Sequence, residues 1–478
     1  MQPEPRNATH LSRRSLLRGA GLGLGSLALG SLSARALSAP RPRAPDWVLP
    51  GAPRARRVVW LHMAGSPSQL DLFDDKPLLR ERHGQEVPAS LIEGERFAFI
   101  KGVPKLLGSP YSFARHGESG GLFSELLPHT AAMADKLTLV RGMHTTAFNH
   151  APAQVLIGTG HERLGRPSMG AWLSWGLGSL NPDLPTYVVL VSGAYQPSGG
   201  AALWSSAFLP TVHQGVQLRS KGDPVLYLSE PEGMTRADRR RSLDTLRALN
   251  ELQRERSGDP EVETRIAQYE MAWRMQSSVP DLKDLSSEPD GTLAEYGIVA
   301  GKPGFADNCL LARRLLERDV RFVHLYHWGW DSHGTGPSDD LMTALPTRCG
   351  ETDRACVALI HDLERRGLLE DTLVVWGGEF GRTPMNEERN GSKFLGRDHH
   401  PHAFTMWMAG GGMRPGVNHG TTDEFGYRVV EGGMDVHDLH ATLLNQLGID
   451  HERFTYRSQG RDFRLTDVSG VVQRQLLA

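Results

Sequence analysis

Short apolar runs recur along the chain from Arg57 onward, each closing on small or polar residues. Val58-Val59-Trp60-Leu61 leads into Ala64-Gly65, the pattern of a strand buried on both faces. The runs at 137–140, 187–191, 320–326 and 372–376 have the same character. Helical spacing lies between them. Leu310, Leu311, Leu315 and Leu316 make one apolar face ahead of the run at Val320, and Val357, Leu359, Ile360 and Leu363 make another ahead of Thr372. Strand alternating with helix predicts an α/β fold with a mostly parallel central sheet and helices on both faces.

One stretch breaks this rhythm. Residues 235–278 are charged and helix-prone, with Leu243, Leu246, Leu249 and Leu252 near helical spacing and Asp259-Pro260 as an interruption. They predict a helical insertion, either a cap over a pocket or a pair of helices packed on the sheet.

The first 56 residues carry no such periodicity. Ser12-Arg13-Arg14-Ser15-Leu16-Leu17-Arg18 matches a twin-arginine export signal, followed by a Gly-rich apolar stretch over 19–32 and a small-x-small site at Ala34-Arg35-Ala36. The apolar stretch is short for a membrane span, which needs about 20 apolar residues. The expected organisation is a signal peptide over 1–36, a Pro- and Arg-rich linker over 37–56 and one domain over 57–478. The mature protein is expected in the periplasm or outside the cell, without a membrane span, after passing the twin-arginine translocase.

Composition narrows the partners. A net charge of -2 offers no strongly basic surface, so nucleic acid is not an expected partner. Cys309, Cys349 and Cys356 are too few for a stapled scaffold and are expected to be free.

In open parallel sheets ligands bind beyond the carboxyl ends of the strands, which gives weight to four polar clusters. His327-Trp328-Gly329-Trp330-Asp331-Ser332-His333 follows the run at Val320, and its carboxylate and imidazoles suit a divalent cation such as Zn²⁺. Gly378-Glu379-Phe380-Gly381-Arg382 follows the run at Thr372; Glu379 is a candidate base or ligand and Arg382 a candidate anion holder. Gly396-Arg397-Asp398-His399-His400 is dense in ligand-type side chains, and Asn149-His150 precedes an apolar stretch ending in Thr159-Gly160.

These motifs, with Gly65-Ser66-Pro67-Ser68-Gln69-Leu70-Asp71, Ala312-Arg313-Arg314-Leu315 and Asp438-Leu439-His440-Ala441-Thr442, resemble the bacterial family DUF1501 over essentially the whole mature chain. That family is placed in the alkaline phosphatase and sulfatase superfamily, whose enzymes flank a nucleophile with two metal sites. By position, Asp331, His333 and His399 resemble the ligands of one site, with Asp398 or His327 as further ligand or support. The other site departs from the pattern. His62-Met63-Ala64 stands where an aspartate is expected, and Glu379-Phe380 where an Asp-His pair is expected.

The resemblance implies a one-metal hydrolase of phosphate or sulfate esters, acting on an anionic small molecule or polysaccharide, with Zn as the metal and Ca or Mn as alternatives. His150, nine residues before Thr159, is the candidate base or nucleophile, with Asn149, Glu379 and Arg382 beside it and Arg382 and Arg397 as substrate binders. The alternative is a non-catalytic envelope or ligand-binding relative of the same fold.

Overall fold

All eight side chains of Arg57–Ala64 (β1) are buried, which a strand tolerates only when both of its faces are covered. The computed structural model describes residues 45–218, 233–257 and 284–478, with scattered residues between 258 and 283. The expected signal peptide and the first part of the linker lie outside the described residues. Residues 49–478 form one unit, and the account below concerns that unit.

Seven further strands join β1 in one sheet: Thr138–Met143 (β2), Tyr187–Ser192 (β3), Val216–Leu218 (β4), Phe322–Trp328 (β5), Thr372–Gly377 (β6), Phe404–Ala409 (β7) and Val417–His419 (β8). Their order is β8-β2-β7-β6-β1-β5-β3-β4. β1 pairs in parallel with both β5 and β6, and β3 in parallel with β5 and β4. Only β7 runs antiparallel, between β6 and β2. The fold is therefore the expected large, mostly parallel sheet surrounded by helices.

Alternation along the strands divides the core. Val59, Leu61 and Met63 of β1 and Val323 and Leu325 of β5 belong to one apolar cluster, shared with helices Phe305–Glu317 (α1) and Ala344–Arg365 (α2). Trp60 and His62 alternate with them. The Trp60 ring lies 6.5 Å from that of His440, on helix Val436–Gln446 (α3). A reciprocal Asp435/Asp438 capping box starts α3 by satisfying amide donors that a helix end leaves open. Helix His150–Thr159 ends at Gly160, φ +73°, where a Cβ would stand 1.8 Å from the Leu465 carbonyl. Only glycine fits there.

Leu49 N–H donates to the Gly448 carbonyl, Ala55 N–H to Gln446 and Arg56 N–H to Asp371, so the chain is docked from Leu49 onward. Two strand expectations need correction. β5 begins at Phe322 and runs through His327, which places that histidine inside the strand. β7 was not among the runs read as strands, although all six of its residues are buried. In the region 235–278 a charged helix spans Arg236–Ser257; Leu243 is buried, whereas Leu246, Leu249 and Leu252 are exposed. All three cysteines are free and buried. Among the described residues no helix is long and apolar enough to cross a membrane.

Candidate metal centre

The loops after β1, β5 and β6 meet at the carboxyl end of the sheet. Gly65, directly after β1, has φ +104°, and a Cβ there would stand 2.6 Å from Asp331 N. The absent side chain lets the β1 loop press against the β5 loop. Two-residue strands Gly381–Arg382 and His399–His400 pair antiparallel, with Arg382 opposite His399. That register brings the late histidine cluster to the β6 loop.

Four side chains converge here. Asp331 Oδ1 lies 2.8 Å from His333 Nε2, 3.1 Å from His150 Nε2 and 3.4 Å from His399 Nε2. One ligand-type atom from each of the four residues falls within 4.8 Å of all the others. Metal–nitrogen bonds of about 2.0–2.1 Å in a tetrahedron set neighbouring donors about 3.3 Å apart, so the spacing suits a small divalent ion. Asp331 keeps 34% of its side chain exposed, which leaves the cluster a route to solvent.

Each imidazole is oriented from behind. His150 Nδ1 donates to Glu379 Oε1 at 2.7 Å. Its Nε2, although close to Asp331, has no hydrogen-bond partner, because proximity there comes without alignment. His333 Nδ1 donates to Glu387 Oε2, and His399 Nδ1 to the Phe148 carbonyl at 2.8 Å. A histidine whose second nitrogen is tied to a carboxylate or carbonyl presents the first as a directed ligand or base. Phe380 stacks on the His150 ring at 4.8 Å.

Charge is balanced within the group. Burial works against the Asp331 carboxylate, but Arg382 and the three histidines outweigh it and hold it well below the usual carboxylate range. Burial likewise opposes a charged His150, yet Asp331 and Glu379 raise it to about 9. Glu379 is fully buried and held low by its histidines against the cost of desolvation. Its Oε1 also accepts from Gln154 at 2.9 Å and Gly65 N–H at 3.0 Å, and Oε2 lies 3.3 Å from His62 Nε2. Where the resemblance would put a second metal, Glu379 and His62 satisfy one another, and the donor set does not fit a second ion.

Several expected residues have other roles. Arg382 is fully buried: Nε donates to Ser66, Nη1 to Arg397 and Nη2 to Gly65, all backbone carbonyls, and Nη2 also reaches Asp331 at 2.6 Å. Arg397, equally buried, forms a two-pronged pair with Asp71 (2.7 and 3.0 Å) and donates to the Leu107 and Thr383 carbonyls. Both guanidinium groups are committed to these partners. His327 is not in the cluster; it accepts from Trp330 Nε1 at 3.0 Å and faces Glu351 at 3.1 Å. Asn149 is exposed, and it caps the His150–Thr159 helix without a side-chain bond. Asp398 forms a second close group with His333 and Glu387, while its oxygens accept the N–H groups of Phe99, Ile100 and His399.

Sequence reading missed Gln154, Glu387, Phe99 and the pairing of His62. Glu387 lies five residues beyond the Gly378–Arg382 motif, and His62 was noted only for what it replaces. No local pattern marks Gln154 or Phe99, which reach the site through tertiary contact.

No curated protein matches the chain significantly. Among solved structures it is similar to a magnesium-bound TAB5 alkaline phosphatase mutant, at 10% identity and a TM-score of 0.34, covering 84% of this chain and 99% of that one. It is also similar to the PsFucS1 sulfatase from Pseudoalteromonas sp., at 12% identity and a TM-score of 0.36, covering 89% and 72% respectively. The lipoteichoic acid synthase LtaP from Listeria monocytogenes gives 9% identity and a TM-score of 0.36, covering 90% and 78%. A family model described as "Protein of unknown function (DUF1501)" matches residues 55–477, and the chain belongs to that family.

Proposed function

We propose that the chain is an exported, one-metal hydrolase of phosphate or sulfate esters. Asp331, His333 and His399 would hold the ion, and three imidazole-and-carboxylate donors favour Zn over Ca, which prefers all-oxygen shells. A divalent ion there supplies Lewis-acid polarisation of an ester oxygen.

The observation that carries the reading is His150. Its Nδ1–H is committed to a fully buried carboxylate, while Nε2 has no hydrogen-bond partner and faces the same point as the other donors. That is the geometry of a positioned proton-transfer group whose imidazolium Glu379 and Asp331 stabilise. With the ring raised to about 9 in the metal-free protein, it serves as a base at Nε2 once a cation bound at Asp331 offsets that carboxylate, and as a proton donor otherwise. Gln154 and Gly65 hold Glu379, and Arg382 holds Asp331, so neither carboxylate has to reorganise. His150 also qualifies as a fourth ligand by distance; three ligands with an open position are what catalysis requires.

The test is metal analysis of protein purified from an exporting host, together with turnover of aryl phosphates and sulfates in Zn, Mn and Ca. Stoichiometric metal with turnover supports the proposal. A second reading, a non-catalytic ligand-binding relative, is favoured by one observation: Arg382 Nη2 stands 2.6 Å from Asp331 Oδ1 and supplies an internal cation. A metal-free, inactive wild type would support that reading. Export by the twin-arginine route to the periplasm is part of the proposal, checked by fractionation of wild type and an Arg13→Lys/Arg14→Lys variant.

A further inference from the structure

Arg389, which the sequence does not single out, keeps hydrogen-bonding capacity that Arg382 and Arg397 lack. Its Nε donates to Glu387 Oε1, and the other oxygen of that carboxylate accepts from His333 Nδ1. One buried carboxylate thus links the guanidinium to an imidazole of the candidate centre. Arg389 Nη2 has no hydrogen-bond partner but is itself shielded from solvent, a costly arrangement. Of the side chain, 25% is exposed, so a ligand meets the guanidinium along that exposed part and a small turn of the side chain frees Nη2.

The surroundings are shaped for a ligand. The Arg389 guanidinium lies over the Phe99 ring at 3.9 Å, and the ring meets His333 and His399 edge-on at 5.0 and 5.4 Å. Asp398 fixes this loop by accepting the N–H groups of Phe99 and Ile100 at 2.7 and 2.9 Å. Phe99, Lys101 and Arg389 line a cleft of about 430 Å³, a volume in the range of small-molecule sites. Lys101 and Phe99 are exposed. Of the two glutamates lining the cleft, Glu387 is committed to His333 and Arg389, and Glu388 lies 4.0 Å from Lys105.

We infer that this cleft is an anion subsite beside the metal centre, in which Arg389 and Lys101 bind a second negatively charged group on the substrate's organic part and Phe99 packs against its apolar surface. The ligand class is a polyanionic ester: a phosphate, sulfate or carboxylate carried on a ring or chain next to the scissile group. The Phe99 ring and Glu387 stand between Arg389 and His333, so a group held there sits beside the reacting centre. Arg389 is therefore a binding and specificity residue. As a statement about substrate, this inference rests on the hydrolase reading; its binding claim is tested separately.

The experiment is calorimetric titration of the mature protein with naphthalene-1-sulfonate and naphthalene-1,5-disulfonate, in Zn-loaded and metal-stripped forms. The expected result is binding of the disulfonate tighter by about tenfold. That advantage disappears in Arg389→Gln and is largely kept in Arg389→Lys. Equal affinity of wild type for the two probes, or an undiminished advantage in Arg389→Gln, overturns the inference. Reading the advantage in stripped protein keeps the two proposals apart, because failure to bind metal counts against the hydrolase reading alone.

Discussion

His150 Nδ1 and Glu379 Oε1 lie 2.7 Å apart, joining the first residue of a helix to the loop after the central strand β6. With Glu379 buried and immobilised by four neighbours, the imidazole has one orientation, and its Nε2 faces Asp331.

If His150 is a base, removing it leaves the ion in place. His150→Ala is expected to retain stoichiometric metal and lose about 10²–10⁴ in kcat, and Glu379→Gln to lose a comparable factor by freeing the ring. Parallel metal analysis and steady-state kinetics check this. Loss of metal together with activity in His150→Ala would reassign the residue as a ligand.

His333→Ala is expected to abolish stoichiometric metal, and Glu387→Gln to weaken metal affinity about 10–100-fold by releasing the His333 ring. Affinity in wild type should also fall as pH drops, because protons compete for the imidazoles. Competition titration with a chromophoric chelator reads both. Wild-type affinity in His333→Ala would remove the proposed site.

Arg397 and Asp71 form a pair with both side chains fully buried. Arg397→Ala strands the carboxylate and is expected to cost about 3–5 kcal/mol in denaturant unfolding. Replacing both partners with Met and Leu should recover much of that loss. An unchanged unfolding midpoint in Arg397→Ala would contradict a stabilising role for the pair.

Three buried histidines outside the centre set a pH dependence of stability. Burial, against the Tyr427 carbonyl, pushes His400 down to about 3, and burial, against the Ile157 carbonyl, pushes His440 to about 4. Burial also holds His324 well below the ordinary value, and His62 adds to the effect. All three stay neutral when folded but protonate below about 6.5 when unfolded, so the unfolded state binds more protons. Stability is therefore expected to fall as pH drops from about 6.5 toward 4, by about 1.4 kcal/mol per pH unit for each histidine. Thermal unfolding of metal-stripped protein between pH 7.5 and 4.5 measures the slope, and His400→Gln should make it shallower. A flat profile would contradict the assignment.

The alternation of strand and helix was legible because burial on both faces leaves continuous apolar runs, as in β1 and β6. β7 was less so: its run FTMWMA begins four residues after the Gly396–His400 cluster, and the polar context masked it. The convergence of Asp331, Glu379 and His399 could be anticipated because all lie in or beyond loops at strand ends, where parallel topology gathers side chains.

Which polar groups remain free could not be read that way. Arg382, Arg397 and Arg389 are equivalent as letters within one segment, yet the first two are closed off by backbone carbonyls and Asp71 while the third keeps an unpartnered nitrogen at a cleft. The sequence alone determined the alternation of strand and helix apart from β7, the family and the ligand-type residues, since these follow from local pattern and chemical type. Only the tertiary structure decided which donors are already satisfied, because hydrogen-bond satisfaction depends on atoms more than 200 residues apart, as between His150 and Glu379.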